Sequence, residues 1–121
     1  FATEDSGALA DSLSGLFDVP VAHEERFEGM QVVFLEVGGG CLELLEPTTD
    51  DGAIARYLEE HDAGLHHVAF ATPDIQAALE RARDHGVERV DETPRAGAWG
   101  HEVAFLYPRD TGGILIEFVA A

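Results

Sequence analysis

Two adjacent histidines, His66 and His67, open the apolar stretch of GLHHVAFATPD at residues 64–74. Two glutamates sit inside strongly apolar runs: Glu43 in CLELLEP and Glu117 in GILIEFVA. All three segments have the pattern of strands buried on at least one face. On a strand, successive side chains alternate, so His66 is expected to face away from His67 and to be structural or to support it. Glu43 shares a face with Cys41 and Leu45, and Glu117 with Leu115 and Val119. A carboxylate among apolar neighbours costs free energy unless it is paired or bound to a metal. Together His67, Glu43 and Glu117 offer one imidazole nitrogen and two carboxylates; with a second histidine, a set of two histidines and two glutamates suits a divalent first-row ion with positions left open for a substrate. Taken singly, each residue has a plainer reading, as a hydrogen-bonded strand histidine or an edge-strand glutamate facing water.

Other chemistries find less support. The only cysteine, Cys41, has no histidine beside it in the sequence, and no serine sits in a nucleophile elbow. Gly38-Gly39-Gly40 lies between two strand patterns, which makes it a hairpin turn and no phosphate cradle. His23, His61, His85 and His101 lie in polar contexts and are expected at the surface.

Positioning these residues requires the following elements. Helical spacing of Ala8, Leu9, Leu13, Leu16 and Phe17 predicts a helix from Ser6 to Phe17, capped by Asp5 or Ser6. Strands are predicted at Val21 to Arg26, Gln31 to Val37 and Cys41 to Glu46, with a turn at Glu28-Gly29. A short helix from Ala53 to His61 follows. Leu65 to Ala71 is predicted as a strand and Ile75 to His85 as a helix stopped at Gly86. Three more strands are expected at Val87 to Asp91, Glu102 to Tyr107 and Ile114 to Val119.

The chain also repeats itself. Phe1-Ala2-Thr3-Glu4-Asp5 returns as Phe70-Ala71-Thr72-Pro73-Asp74, an offset of 69 residues. Val33-Phe34-Leu35 matches Ala104-Phe105-Leu106 at an offset of 71, and Glu43 matches Glu117 at 74. The offset grows slowly, as small loop insertions would make it. The expectation is one α+β domain over residues 1–121 built of two βαβββ modules, at residues 1–50 and 65–121, with a connection at residues 51–64. Because His67 precedes Phe70 by three residues, its counterpart in the first module falls before Phe1. The first strand of that module is therefore expected to be truncated.

Size and charge bound the rest. At 121 residues the chain can bury a real core. It carries a formal net charge of −17, and all seven basic residues are arginines. Such a surface repels nucleic acid and anionic membranes. Acidity without lysine points to a salt-loving source, where counterions screen the self-repulsion. A lone cysteine and the lack of a signal-peptide pattern fit the cytoplasm.

HEERFEGMQVVFLEVGGGCLELLEP, GLHHVAF, the PRAGAWG loop and the YPRDTGGILIEF ending together resemble the vicinal oxygen chelate superfamily, and within it the methylmalonyl-CoA epimerases. The resemblance implies two paired modules forming a curved mixed sheet around a metal site. Its ligands would be a first-strand histidine not in this chain, then Glu43, His67 and Glu117. Co2+ is the implied ion, with Zn2+, Ni2+ or Mn2+ as alternatives. The implied reaction interconverts (2R)- and (2S)-methylmalonyl-CoA through a metal-stabilised enolate, with Glu117 also a catalytic base. A second base is unassigned, because the glutamate some members carry falls on Val32. Gly97, Ala98, Trp99 and Gly100 would close over the acyl group, and Arg95 or Arg109 would meet the CoA phosphates. An acyl-CoA substrate and a homodimer are implied. Glyoxalase I, which uses the same ligand set, and a metal-free small-molecule binding member of the superfamily are the alternatives.

Overall fold

The computed structural model describes residues 1–121. The chain divides into two compact units, Phe1–Leu65 and His66–Ala121. The first contains α1 (Ser6–Phe17), β1 (Val21–Phe27), β2 (Met30–Val37), β3 (Gly40–Pro47) and α2 (Ala53–Glu60). The second contains β4 (His67–Thr72), α3 (Ile75–Asp84), β5 (Arg95–Ala96), β6 (Glu102–Leu106) and β7 (Leu115–Ala120).

In the first unit β1, β2 and β3 form an antiparallel sheet in that order. Glu28 and Gly29 both take positive φ (48° and 79°), the conformation that suits a two-residue hairpin turn. Ahead of α1, Phe1–Thr3 runs parallel to β3: Ala2 pairs with Leu45, Leu45 N–H donates to Phe1 O at 2.8 Å, and Thr3 N–H donates to Leu45 O at 2.9 Å. α1 covers one face of this sheet. Ala10 packs with Val33, Leu35 and Leu44, flanked by Leu9 and Leu13. Leu35 and Leu44 are fully buried, so shortening either to alanine is expected to cost about 2–5 kcal/mol.

The second unit repeats that wiring. β4 runs parallel to β7, and β7 and β6 and then β6 and β5 pair antiparallel, giving the order β4-β7-β6-β5. α3 covers one face, with Ile75, Leu79 and Ala82 on Ala104 and Leu106, and Ile116 and Phe118 beside them. Both helices start by the same device. Asp5 Oδ1 accepts from Ala8 N–H and Asp74 Oδ1 from Ala77 N–H, each at 3.0 Å. Thr3 Oγ1 accepts from Asp5 N–H as Thr72 Oγ1 does from Asp74 N–H. FATED and FATPD are thus one strand-to-helix junction used twice, because a Thr-x-Asp sequence satisfies the first free N–H groups of the helix.

The α+β class and the βαβββ wiring are as expected, with the strands gathered into sheets of three and four strands. Two local expectations are corrected. β4 starts at His67, two residues after Leu65. Val87 to Asp91 is no strand: only Arg89 makes an isolated bridge, to Leu106, and the strand beside β6 is β5 instead. The reason is chemical. Asp91 puts its own carboxylate on Phe105 N–H at 2.9 Å, taking the place a backbone carbonyl would hold in a ladder.

Candidate metal and catalytic site

Glu117 sits in the middle of β7, opposite Phe105 on β6 and Ala69 on β4. Its neighbours Ile116 and Phe118 pack with α3, so alternation aims Glu117 at the face the helix leaves uncovered. His67 pairs with Leu115 and reaches the same face. His67 Nε2 lies 3.2 Å from Glu117 Oε1, and the two side chains are only 7% and 11% exposed. A pair this buried is costly to desolvate and persists where other interactions or a function hold it.

Phe105 walls this pair. The His67 ring meets it edge-on, with centroids 6.0 Å apart and planes at 80°. The Arg95 guanidinium lies 5.1 Å from the Phe105 ring centre, and its Nε is 3.0 Å from Asp91 Oδ1. Asp91 therefore holds both the strand that carries Phe105 and the cation over its ring. His66 does not turn away as strand alternation predicts. It precedes the first residue of β4, escapes the pleat, and brings its Nδ1 to 2.9 Å from His67 Nδ1.

In the first unit Glu43 is placed by the same logic. It pairs across the sheet with Phe34, as Glu117 does with Phe105, and it faces away from Val33, Leu35 and Leu44 under α1. On the same face of β1 lie His23, opposite Phe34, and Glu25, opposite Val32. His23 Nε2 stands 3.3 Å from Glu25 Oε1, and the His23 ring is 6.2 Å from that of Phe34. Sequence reasoning left His23 at the surface and did not single out Glu25. The signal was their two-residue spacing, which shares a face once the register is known, but an irregularity between Val21 and His23 hides that register. Glu25 thus flanks Val32, where the expected second glutamate is missing. Cys41, also on β3, has its thiol pushed above the ordinary value, first by burial and then by Glu36 and Glu43.

The PRAGAWG segment forms the β5–β6 hairpin. Gly97 N–H donates to His101 O at 2.8 Å, and Trp99 and Gly100 both take positive φ (59° and 69°). A Cβ on Gly97 would come within 2.9 Å of Val103 Cγ1, so the hairpin needs glycine there for close approach. The Trp99 ring lies 5.9 Å from that of His101. Arg109, on the turn Pro108–Asp110, is in an exposed ion pair with Glu88.

Within the second unit His67 and Glu117 offer an imidazole nitrogen and a carboxylate oxygen, donors compatible with a divalent metal. Their spacing fits that use. Ions bound through N and O at about 2.0–2.2 Å hold adjacent ligand atoms about 3.0–3.5 Å apart, and His67 Nε2 and Glu117 Oε1 stand at 3.2 Å.

The chain is similar to several known proteins. A protein of Bacillus subtilis, YqjC, itself uncharacterised, is 35% identical over 119 residues, covering 97% of this chain and 83% of that protein. Human mitochondrial methylmalonyl-CoA epimerase is 36% identical over 94 residues, covering 77% of this chain; the match spans about half (53%) of the human protein. The structure of a Streptomyces coelicolor methylmalonyl-CoA epimerase variant in complex with 2-nitronate-propionyl-CoA superposes with a TM-score of 0.90 at 33% identity, covering 98% of this chain and 88% of that one. The profile of the Glyoxalase/Bleomycin resistance protein/Dioxygenase superfamily matches residues 1–105. With that match spanning most of the chain, and the βαβββ wiring present twice, the protein belongs to this superfamily.

Proposed function

We propose that this chain is a metal-dependent methylmalonyl-CoA epimerase, an isomerase that inverts the carbon between the thioester and the carboxylate of its acyl-CoA substrate. The observation that carries the reading is the buried His67–Glu117 pair on the helix-free face of its sheet. The names of the human and Streptomyces relatives supply the substrate class. In this reading the ligands are Glu43, His67 and Glu117, and Co2+ is the ion. A divalent ion held there would supply Lewis-acid stabilisation of the charge that develops on the substrate oxygens.

The chain's own residues do the rest. Glu117 takes the C2 proton from one side, in a setting dry enough for a carboxylate to act as an effective base. Glu25, the carboxylate beside Val32, is the candidate for returning a proton from the other side. Phe105 and the Gly97–Gly100 hairpin keep water from the acyl group. On a surface of net charge −17, the CoA phosphates need a fixed cation. Arg95, oriented by Asp91 over the Phe105 ring, and Arg109, on the turn after β6, are the candidates for that role. The same reading takes residues 1–121 as one domain, working as a homodimer in the cytoplasm of a salt-loving organism. No helix is long and apolar enough to cross a membrane.

The test is C2 proton exchange. With Co2+ present, (2R)- and (2S)-methylmalonyl-CoA in deuterated buffer should exchange the C2 proton and interconvert. Formation of S-lactoylglutathione without such exchange would overturn the proposal in favour of glyoxalase chemistry. Ligand binding without turnover of either substrate would overturn it in favour of a binding protein.

A further inference from the structure

His67 has two ring nitrogens, and the structure gives each a partner. Nε2 faces Glu117 Oε1 at 3.2 Å and Nδ1 faces His66 Nδ1 at 2.9 Å. The two imidazoles meet edge to face, with planes at 89° and centroids 5.2 Å apart. A hydrogen bond between two Nδ1 atoms holds one proton, so one ring donates and the other accepts. Which ring donates is fixed by what Nε2 of His67 must do.

To bind a divalent ion, Nε2 of His67 must present its lone pair, so the ring proton sits on Nδ1 and is donated to His66. His66 then accepts at Nδ1 and carries its proton on Nε2.

We infer that His66 is a positioning residue: by accepting from Nδ1 of His67 it fixes the tautomer in which His67 Nε2 can bind a divalent ion. The inference rests on the reading above, in which His67 and Glu117 ligate the metal. It explains why two histidines stand side by side: a ligand imidazole is oriented and kept basic by an acceptor on its other nitrogen. His66, sitting ahead of the pleat, supplies that acceptor without occupying a strand position.

Zn2+, being diamagnetic, is the probe. Long-range 1H–15N correlation spectra of the Zn2+-loaded protein should show His67 protonated at Nδ1 and His66 at Nε2. In a chelator-competition titration, His66→Phe should weaken Zn2+ binding about 10–100-fold. His66→Asn, whose amide oxygen can stand where Nδ1 stood, should restore affinity to within about threefold. His67→Ala should abolish site binding. If His67→Ala abolishes binding while His66→Phe binds Zn2+ like wild type, the metal site stands and the role of His66 is refuted. A Zn2+-loaded protein whose His67 Nδ1 carries no proton refutes it equally. Failure of the wild-type chain to bind Zn2+ would overturn the metal reading and this inference together.

Discussion

Glu117→Gln separates the work of this carboxylate from its place in the fold. Glutamine keeps the volume of a residue that is 8% exposed between Ala69 and Phe105, so no cavity opens. Its amide oxygen can still accept from His67 Nε2–H across the present 3.2 Å. What is lost is charge. A hydrogen bond to a charged group contributes about 1.5–3 kcal/mol and a neutral one about 0.5–1.5, so the pair weakens by roughly 1–1.5 kcal/mol. Opposing this, a buried charge no longer has to be desolvated, and that penalty is several kcal/mol per ion before compensation. The two effects pull in opposite directions, and metal-free Glu117→Gln should melt within about 5 °C of wild type, equivalent to roughly 1 kcal/mol in a chain of this size. Turnover should behave differently. Losing a positioned general base costs about 10²–10⁴-fold, and the amide is also a weaker metal ligand. The assays are thermal denaturation of the metal-free protein and C2 deuterium incorporation into methylmalonyl-CoA with Co2+ added. A folded variant that exchanges the C2 proton within threefold of wild type would remove Glu117 from the chemistry. A variant that fails to fold would mean the carboxylate is needed structurally and would refute the energetic argument.

The other predictions address the hairpin, the cation and the thiol. Gly97→Ala should destabilise by about 1–3 kcal/mol through overpacking, since its new Cβ would stand 2.9 Å from Val103 Cγ1. Adding Val103→Ala should cost less than the sum of the two changes, and strict additivity in denaturant titrations would refute the clash. Arg95→Gln should raise KM for the CoA ester several-fold with a smaller effect on kcat, and should reduce the salt dependence of kcat/KM; an unchanged KM would leave Arg95 a structural cation paired with Asp91. Cys41 should be alkylated by iodoacetamide with a midpoint at higher pH in the folded chain than in denaturant, because burial, Glu36 and Glu43 all favour the neutral thiol. The sign carries to stability: the folded thiol holds its proton longer, so its contribution is full below the unfolded pKa and is lost as pH rises through the folded one. An equal or lower midpoint in the folded chain would contradict that environment.

What could be read from sequence was local chemistry and alternation. FATED and FATPD announced a duplicated strand-to-helix junction because the caps that define it are made by residues two and three apart. Glu43 and Glu117 could be placed on one face of their strands because apolar neighbours flank them and the period is two. The failures lay in where strands begin, how they pair and which side chains replace the ladder. Val87 to Asp91 has a strand's composition, but Asp91 spends its carboxylate on a backbone N–H fourteen residues away. His66 obeys no pleat because the strand begins one residue later. His23 and Glu25 join the face of Glu43 only through pairing with Phe34 and Val32, across an irregularity that no sequence window shows.

Register also shows where the two modules parted. Each sheet has a helix-covered face and an opposite face on which a phenylalanine stands across from a glutamate: Phe34 and Glu43 in one, Phe105 and Glu117 in the other. The outer strands differ. Val32 is faced by Glu25, and its counterpart Val103 by Arg95. A duplicated strand set with identical outer strands would offer like charge at both positions. Here one module presents a carboxylate partnered by His23 and the other a guanidinium held by Asp91. A carboxylate suits proton transfer, and a guanidinium suits an anionic substrate that the rest of this acidic surface would repel. The two modules thus keep the phenylalanine–glutamate pairing and differ in the charge their outer strands place beside it.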